Sequence, residues 1–331
     1  MREVPEEPLA AWTPPSYRVT AAGKVEGATA GQPNNWGRWG DDDQKGTANL
    51  LTPERVAAAA ALIRTGKRFP LGIPIAEAAP GYRPPPLHLF QRSTAERVVG
   101  VEGPAGLQVS DDFIVMALQA STQLDGFGHF AYEDLLYNGY WAGLVSTGTG
   151  ARRLGIHRMA EGIVGRGVLL DVARHQGVDR LEKGFAVGSD LLDATAGAEG
   201  VEVGAGDVVI VRTGHIGWWY ALEDKSEFLA GGPAEPGLSP DSVPWFHEHD
   251  VAMVATDTLA AEVLPADPDR PLLSFHLGAL RDLGLPIGEM FDLDELAADC
   301  AADGVYEFFF VAMPLPVVGG VGSPINPVAI K

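Results

Sequence analysis

Five short runs of β-branched and aromatic residues constrain this chain most: FIVMAL (113–118), GVLLDV (167–172), DVVIVRT (207–213), VAMVAT (251–256) and YEFFFVAM (306–313). Several are apolar without interruption, the pattern of strands buried on both faces. Helical signals alternate with them after residue 150, which predicts an α/β core with a partly parallel sheet. The helix starts carry their own chemistry. Thr52-Pro53-Glu54 supplies an N-cap, a proline at the first helical position and an acidic first turn. Ser189 opens DLLDATAGAEG, Ser239-Pro240 opens DSVPWFHEHD, and Asp292 with Glu295 forms a capping-box pattern. A further helix is expected over HLGALRDLG from His276.

The chain has 331 residues, and no linker-like boundary interrupts residues 49–331, which read as one catalytic domain. Residues 1–48 are rich in proline, glycine and charge, with Trp12, Trp36 and Trp39 among them. They read as an arm held to the main body by its tryptophans.

Charge and cysteine content exclude several function classes. Against 24 lysines and arginines stand 44 aspartates and glutamates, a net charge of −20. A chain so acidic lacks the basic face that displaces phosphate counterions, so neither nucleic acid nor an anionic membrane is expected as partner. Cys300 is the lone cysteine, so an intramolecular disulfide and a cysteine-built metal site are both ruled out. The opening MREVPEEPLAAW has no apolar signal region, and the stretch 308–320 is too short to span a bilayer. A cytoplasmic protein is expected.

The segment Leu118–Phe130, LQASTQLDGFGHF, carries the chemistry. If it continues the strand begun at Phe113, period two puts Gln119, Ser121, Gln123 and Asp125 on one face. Four oxygen-bearing side chains in a row could converge on a cation or a polar substrate. Gly126 and Gly128 then let the backbone turn and bring His129 back to that face. A strand with one solvated face gives the same pattern.

The same residues resemble the metal-dependent cyclase family that includes bacterial kynurenine formamidase, isatin hydrolase and aromatic polyketide cyclases. Its signature H-x-G-T-H-x-D-x-x-x-H is matched here by Thr122, Asp125 and His129. Segments 39–56, 167–172, 206–214, 255–265, 275–289 and 322–330 extend the likeness over roughly residues 36–330. Two signature histidines fall on Gln119 and Gln123, and the glycine on Ser121. The resemblance implies a swivelling β/β/α fold and a homodimer or homotetramer. It also implies metal ligands at Asp125, His276 and Glu289, with His129 as general acid/base. Gln119 and Gln123 would complete the ligand set. Losing two imidazoles weakens the case for Zn²⁺ and favours a harder ion such as Mn²⁺.

Other residues have competing readings. Glu289 lies among Leu285, Pro286, Ile287, Met290 and Phe291, where a carboxylate needs a partner, and a metal would supply one. His276 alone reads as a core histidine. Arg212, at the end of an apolar run, either binds a substrate anion or pairs with Asp207 or Asp257. Asp257 and Glu262 flank another strand end and read as structural. Trp218 and Trp219, with His215 and Tyr220, either line a pocket for a planar substrate or pack internally. HExxH, GxSxG and phosphate-loop patterns are absent.

The expected function is a hydrolase acting on a small cyclic or aryl amide or lactone through metal-activated water. Two alternatives stand beside it. One is a metal-free cyclase or dehydratase using Gln119, Gln123 and His129; the other is a non-catalytic small-molecule binding protein.

Overall fold

The computed structural model describes residues 15–76, 80–92, 109–230 and 232–331. Its centre is a nine-stranded sheet. In chain order the strands are β1 (Arg68–Pro70), β2 (Gln123–Asp125), β3 (Ile163–Asp171), β4 (Val208–Arg212), β5 (Met253–Thr256), β6 (Ile287–Glu289), β7 (Glu307–Ala312), β8 (Gly322–Pro324) and β9 (Val328–Ile330). In space they run β1-β9-β7-β3-β4-β5-β6-β2-β8. The four central strands, β3 to β6, are mutually parallel, and those flanking them are antiparallel to their neighbours.

The apolar runs at 167–172, 207–213, 251–256 and 306–313 all become sheet strands. Val208 to Val211 and Met253 to Ala255 are wholly buried, as a parallel sheet covered on both faces requires. The helices Pro53–Ala60 and Ser189–Glu199 both pack on β3. Thr52 caps the first, its hydroxyl accepting from the Arg55 amide, as the sequence predicts. The second ends where Gly200 turns left-handed at φ 67°.

Three expectations are corrected. The run 113–118 does not enter the main sheet: Asp111–Val115 pairs with Leu87–Arg92 in a separate two-stranded ribbon. The capping box at Asp292 does not form, and that helix begins at Asp294. The segment from His276 is a short α-helical turn, Ser274–His276, that widens into a π-helix over Leu277–Leu283 and stops at Gly284, φ 61°.

The arm lies on the body where it is described. Trp36 donates its indole N–H to the Arg281 carbonyl at 2.7 Å, and Asn35 bonds the Asp282 and Leu283 carbonyls. Trp39 instead stacks against Arg38, whose guanidinium pairs with Asp250 at 2.6 Å. Trp12 is outside the described residues. Among the described residues no helix is long and apolar enough to cross a membrane.

Candidate metal centre and cavity

The site forms where β6 meets β2 and β8. Antiparallel pairing sets Glu289 directly opposite Gln123, and Ile287 opposite Asp125. Gln123 and Asp125 are two residues apart, so they share a face with Glu289. On the other side of β2, Gly322 lies opposite Asp125. A side chain there would collide with Gln119: a Cβ at 322 would sit 2.5 Å from Nε2 of that amide.

The four-residue polar strand is corrected here. Residues 116–122 are not strand; a turn carries Gln119 and Ser121, and only Gln123 and Asp125 lie on β2. The turn is tied down from elsewhere in the chain. Thr122 accepts a hydrogen bond from the Ile73 amide at 2.8 Å and donates its hydroxyl proton to the Met290 carbonyl. Gln119 is thereby brought to the same cavity as Gln123 by a loop, not by strand periodicity.

Asp125, His276 and Glu289 converge: one ligand atom from each lies within 4.8 Å of the others, and all three residues are buried. Their polar satisfaction is uneven. Both Asp125 carboxylate oxygens are buried and accept no hydrogen bond among the described residues, and Gln123 Oε1 is equally unpaired. Gln123 Nε2, by contrast, donates to Glu289 Oε2. Glu262 accepts from His276 twice, at Nδ1 (2.7 Å) and at the backbone amide (3.0 Å), which fixes the ring and points Nε2 toward Glu289 Oε1, 3.5 Å away. A carboxylate backing a ligating histidine is the usual support of a metal-bound imidazole.

Burial and close charges shift two titrating groups of the cluster. Burial first, then the neighbouring Asp125, push the Glu289 carboxyl up to about 7. Burial opposes charging of His276, yet its contacts to Glu262 and Glu289 prevail and raise it to about 10. Leaving a carboxylate buried without a partner is costly. A divalent cation fits this donor set, which is mostly oxygen with one imidazole nitrogen. His129 lies beside this cluster, its Nε2 3.9 Å from Asp125 Oδ2.

A cavity of about 290 Å³ opens over these groups. Gln119, Gln123, His129, His276 and Glu289 form its polar end, and Leu259, Leu264, Leu272, Leu273 and Met290 its apolar wall. Leu273 (φ 58°) and Met290 (φ 57°) hold left-handed backbone that a β-carbon disfavours. Such strain is kept where the surroundings over-determine it, often at functional sites.

Four expected site residues do not line the cavity: Asp125 is wholly buried beneath its lining, and Arg212, Trp218 and Trp219 lie elsewhere. Arg212 is held by Asp171 and Asp294, each at 2.8 Å, rather than by Asp207 or Asp257. Asp207 instead pairs with Arg166, and Asp257 accepts from Thr213 and Gly214 at the end of β4. Trp218 and Trp219 belong to a helix, His215–Ala221, and pack on a small cluster with Ile73, Phe228, Leu259 and Met290. They stand behind the cavity wall. Two polar lining residues carry no signal in the sequence, Tyr82 and Arg83. The stretch Gly81-Tyr-Arg-Pro-Pro-Pro86 has no periodicity or motif that signals a site.

With this geometry in view, comparisons with known proteins are informative. No curated protein sequence matches the chain. A family model described as "Putative cyclase" matches residues 69–263, well over half of the chain. A crystal structure of a novel cyclase is 42% identical, covers 90% of this chain and 99% of its own, and superposes with a TM-score of 0.83. Isatin hydrolase A from Labrenzia aggregata, bound to benzyl benzoate, is 18% identical over 82% of this chain and 94% of its own (TM-score 0.57). Isatin hydrolase A from Ralstonia solanacearum is 20% identical over 85% and 98% (TM-score 0.57). At those identities the two hydrolases share the fold. The family match and the 42% relative decide the assignment: this chain is an enzyme of the Cyclase family.

Proposed function

We propose that this enzyme hydrolyses a carbon–nitrogen or carbon–oxygen bond in a small cyclic or aryl amide or lactone. The observation that carries the reading is the buried carboxylate of Asp125, which accepts no hydrogen bond among the described residues, beside His276 and Glu289, which line the polar end of the cavity. Asp125, His276 and Glu289 would hold a divalent ion, with Gln123 Oε1 and the Gln119 amide as further oxygen donors. Such a donor set suits Mn²⁺ better than Zn²⁺, whose sites favour nitrogen and sulfur. The ion supplies Lewis acidity, polarising a carbonyl and making a water more acidic.

The chain's own residues do the rest. Gln123 Nε2 holds the Glu289 carboxylate in place. Glu262 keeps the proton of His276 on Nδ1, so that Nε2 is presented to the centre. The apolar wall excludes water from one side of the substrate, which strengthens every polar contact at the other. His129, lining the cavity beside Asp125, takes a proton from the attacking water and returns it to the leaving nitrogen or oxygen. Two of the similar folds bear the name isatin hydrolase, which supports the reaction class.

The test combines metal analysis by plasma mass spectrometry with a panel of cyclic and aryl amides and lactones. About one divalent ion per subunit and turnover of at least one compound are expected, with His129→Gln losing about 10²–10⁴-fold in kcat while keeping the ion. Full activity in a folded His129→Gln variant would sink the assignment.

A further inference from the structure

The cavity has a second polar end. Arg83 lines it, and among the described residues its guanidinium donates to nothing. It is exposed, whereas Glu289 is buried, so Arg83 marks the solvent end and the metal cluster the floor. It is also the sole lysine or arginine among the residues that line this cavity. Two arginines of the sheet, by contrast, are held by carboxylates: Arg166 by Asp207 and Glu307, and Arg212 by Asp171 and Asp294.

Its backbone is constrained as well. Pro84, Pro85 and Pro86 follow directly. A residue before proline is driven to extended backbone, and each proline locks its own φ. The backbone of the rim segment at Arg83 is therefore restricted. Beside it stand apolar surfaces: Leu272, 71% exposed, and the lining leucines behind it.

We propose that the substrate carries an anionic group, a carboxylate, seated on Arg83 at the mouth while its apolar body lies along the leucine wall toward the metal cluster. The inference rests on the reading of this cavity as the substrate site and adds the substrate's charge. A guanidinium recognises a carboxylate in a two-pronged, charge-assisted contact, and a net negative chain otherwise repels anions. Arg83 thus sets specificity; the bond-breaking chemistry belongs to the floor.

Matched ligands test this. Calorimetric affinities of benzoate, phenylacetate and cinnamate are compared with those of their primary amides, in the wild type, Arg83→Gln and Arg83→Lys. The expected carboxylate-over-amide ratio is roughly tenfold in the wild type, near one in Arg83→Gln and intermediate in Arg83→Lys. The same ratio measured in Asp125→Asn separates Arg83 from the metal cluster as the seat of the anion, and it is expected to survive there. The proposal is overturned by equal affinities in the wild type, by no carboxylate binding at millimolar concentration, by a preference that persists in Arg83→Gln, or by one that vanishes in Asp125→Asn. Failure of the hydrolase reading looks different: no amide or lactone, carboxylated or neutral, would turn over, whatever the ratio at Arg83.

Discussion

Strands β4 and β5 and the β6–β2–β8 edge belong to one sheet and are buried to the same degree, yet they treat charge differently. Val208–Val211 and Met253–Ala255 are apolar throughout, and the charges at their ends are satisfied within the chain. Arg212 is bracketed by Asp171 and Asp294, and Asp257 accepts from two amides and a hydroxyl. At the edge, Gln123, Asp125 and Glu289 are each 3% exposed or less, but among the described residues the Asp125 carboxylate and Gln123 Oε1 accept no hydrogen bond. In one region buried charge is neutralised by the fold. In the other, buried acceptor oxygens go without a hydrogen bond among the described residues. Substitutions should therefore separate cleanly, stability in the first region and ion binding in the second.

The largest effect is expected at Asp125. Asp125→Asn removes the unpaired carboxylate while keeping its shape. Turnover should fall about 10³-fold or more, on the scale of losing a central catalytic group. The melting temperature of chelator-treated protein should hold or rise, because an uncompensated buried charge has gone. Calorimetric melting with and without chelator checks this. A variant that melts lower than chelator-treated wild type would mean that Asp125 is a fold residue and would erase the distinction drawn above.

Next in size is the mirror experiment. Ile210 is wholly buried in β4, and Ile210→Ala should cost about 2–5 kcal/mol through lost burial and the cavity left behind. Urea unfolding should show the same loss with and without added Mn²⁺. If the ion restored the lost stability, the two regions would be energetically coupled.

How far these two regions could be read from residues alone also differs. The strands of the first are local: apolar runs and the Thr52 cap declare themselves, since burial and capping need only neighbours in sequence. At the edge, Asp125 and His129 stood out through the family signature they match, not through periodicity. The setting of Gln119 was not, because its turn is held by Thr122 through Ile73 and Met290, partners 49 and 168 residues distant. Arg212 was visible as a cation at a strand end. Its choice of Asp171 and Asp294 over Asp207 and Asp257 depends on which strands become neighbours. Arg83 gave no signal, since a lone arginine before prolines acquires meaning only when a cavity closes around it.

A smaller effect sharpens the comparison from beneath the metal cluster. Glu262 touches no substrate in the proposed reaction; it positions His276 through Nδ1. Glu262→Gln should weaken Mn²⁺ binding about 10–100-fold, measured by competition with a chromophoric chelator. The fold should persist, as read by circular dichroism. Unchanged affinity would show that His276 needs no support to bind the ion.

The smallest effect lies in the first region and tests whether its charges are as settled as they look. Glu199 ends the helix packed on β3; its Oε1 accepts from the Asp171 amide at 2.9 Å while Oε2 has no partner among the described residues. Burial first, together with the nearby Asp171 charge, lifts its carboxyl from 4.5 to about 8, against the opposing pull of that amide. The last turn of a helix, negative by its dipole, is a poor place for an anion. A raised carboxyl binds its proton more tightly when folded, so its stabilising contribution is complete below pH 4.5 and is lost as pH climbs through 8. Because the side chain is partly exposed, the loss should be on the order of 1 kcal/mol. Glu199→Gln keeps an acceptor for the Asp171 amide and cannot ionise. Its unfolding free energy should thus fall less than that of the wild type between pH 5 and pH 9. Parallel pH profiles would contradict the idea that a proton serves at Glu199 as an arginine serves at Asp171 and as a divalent ion would serve at Asp125.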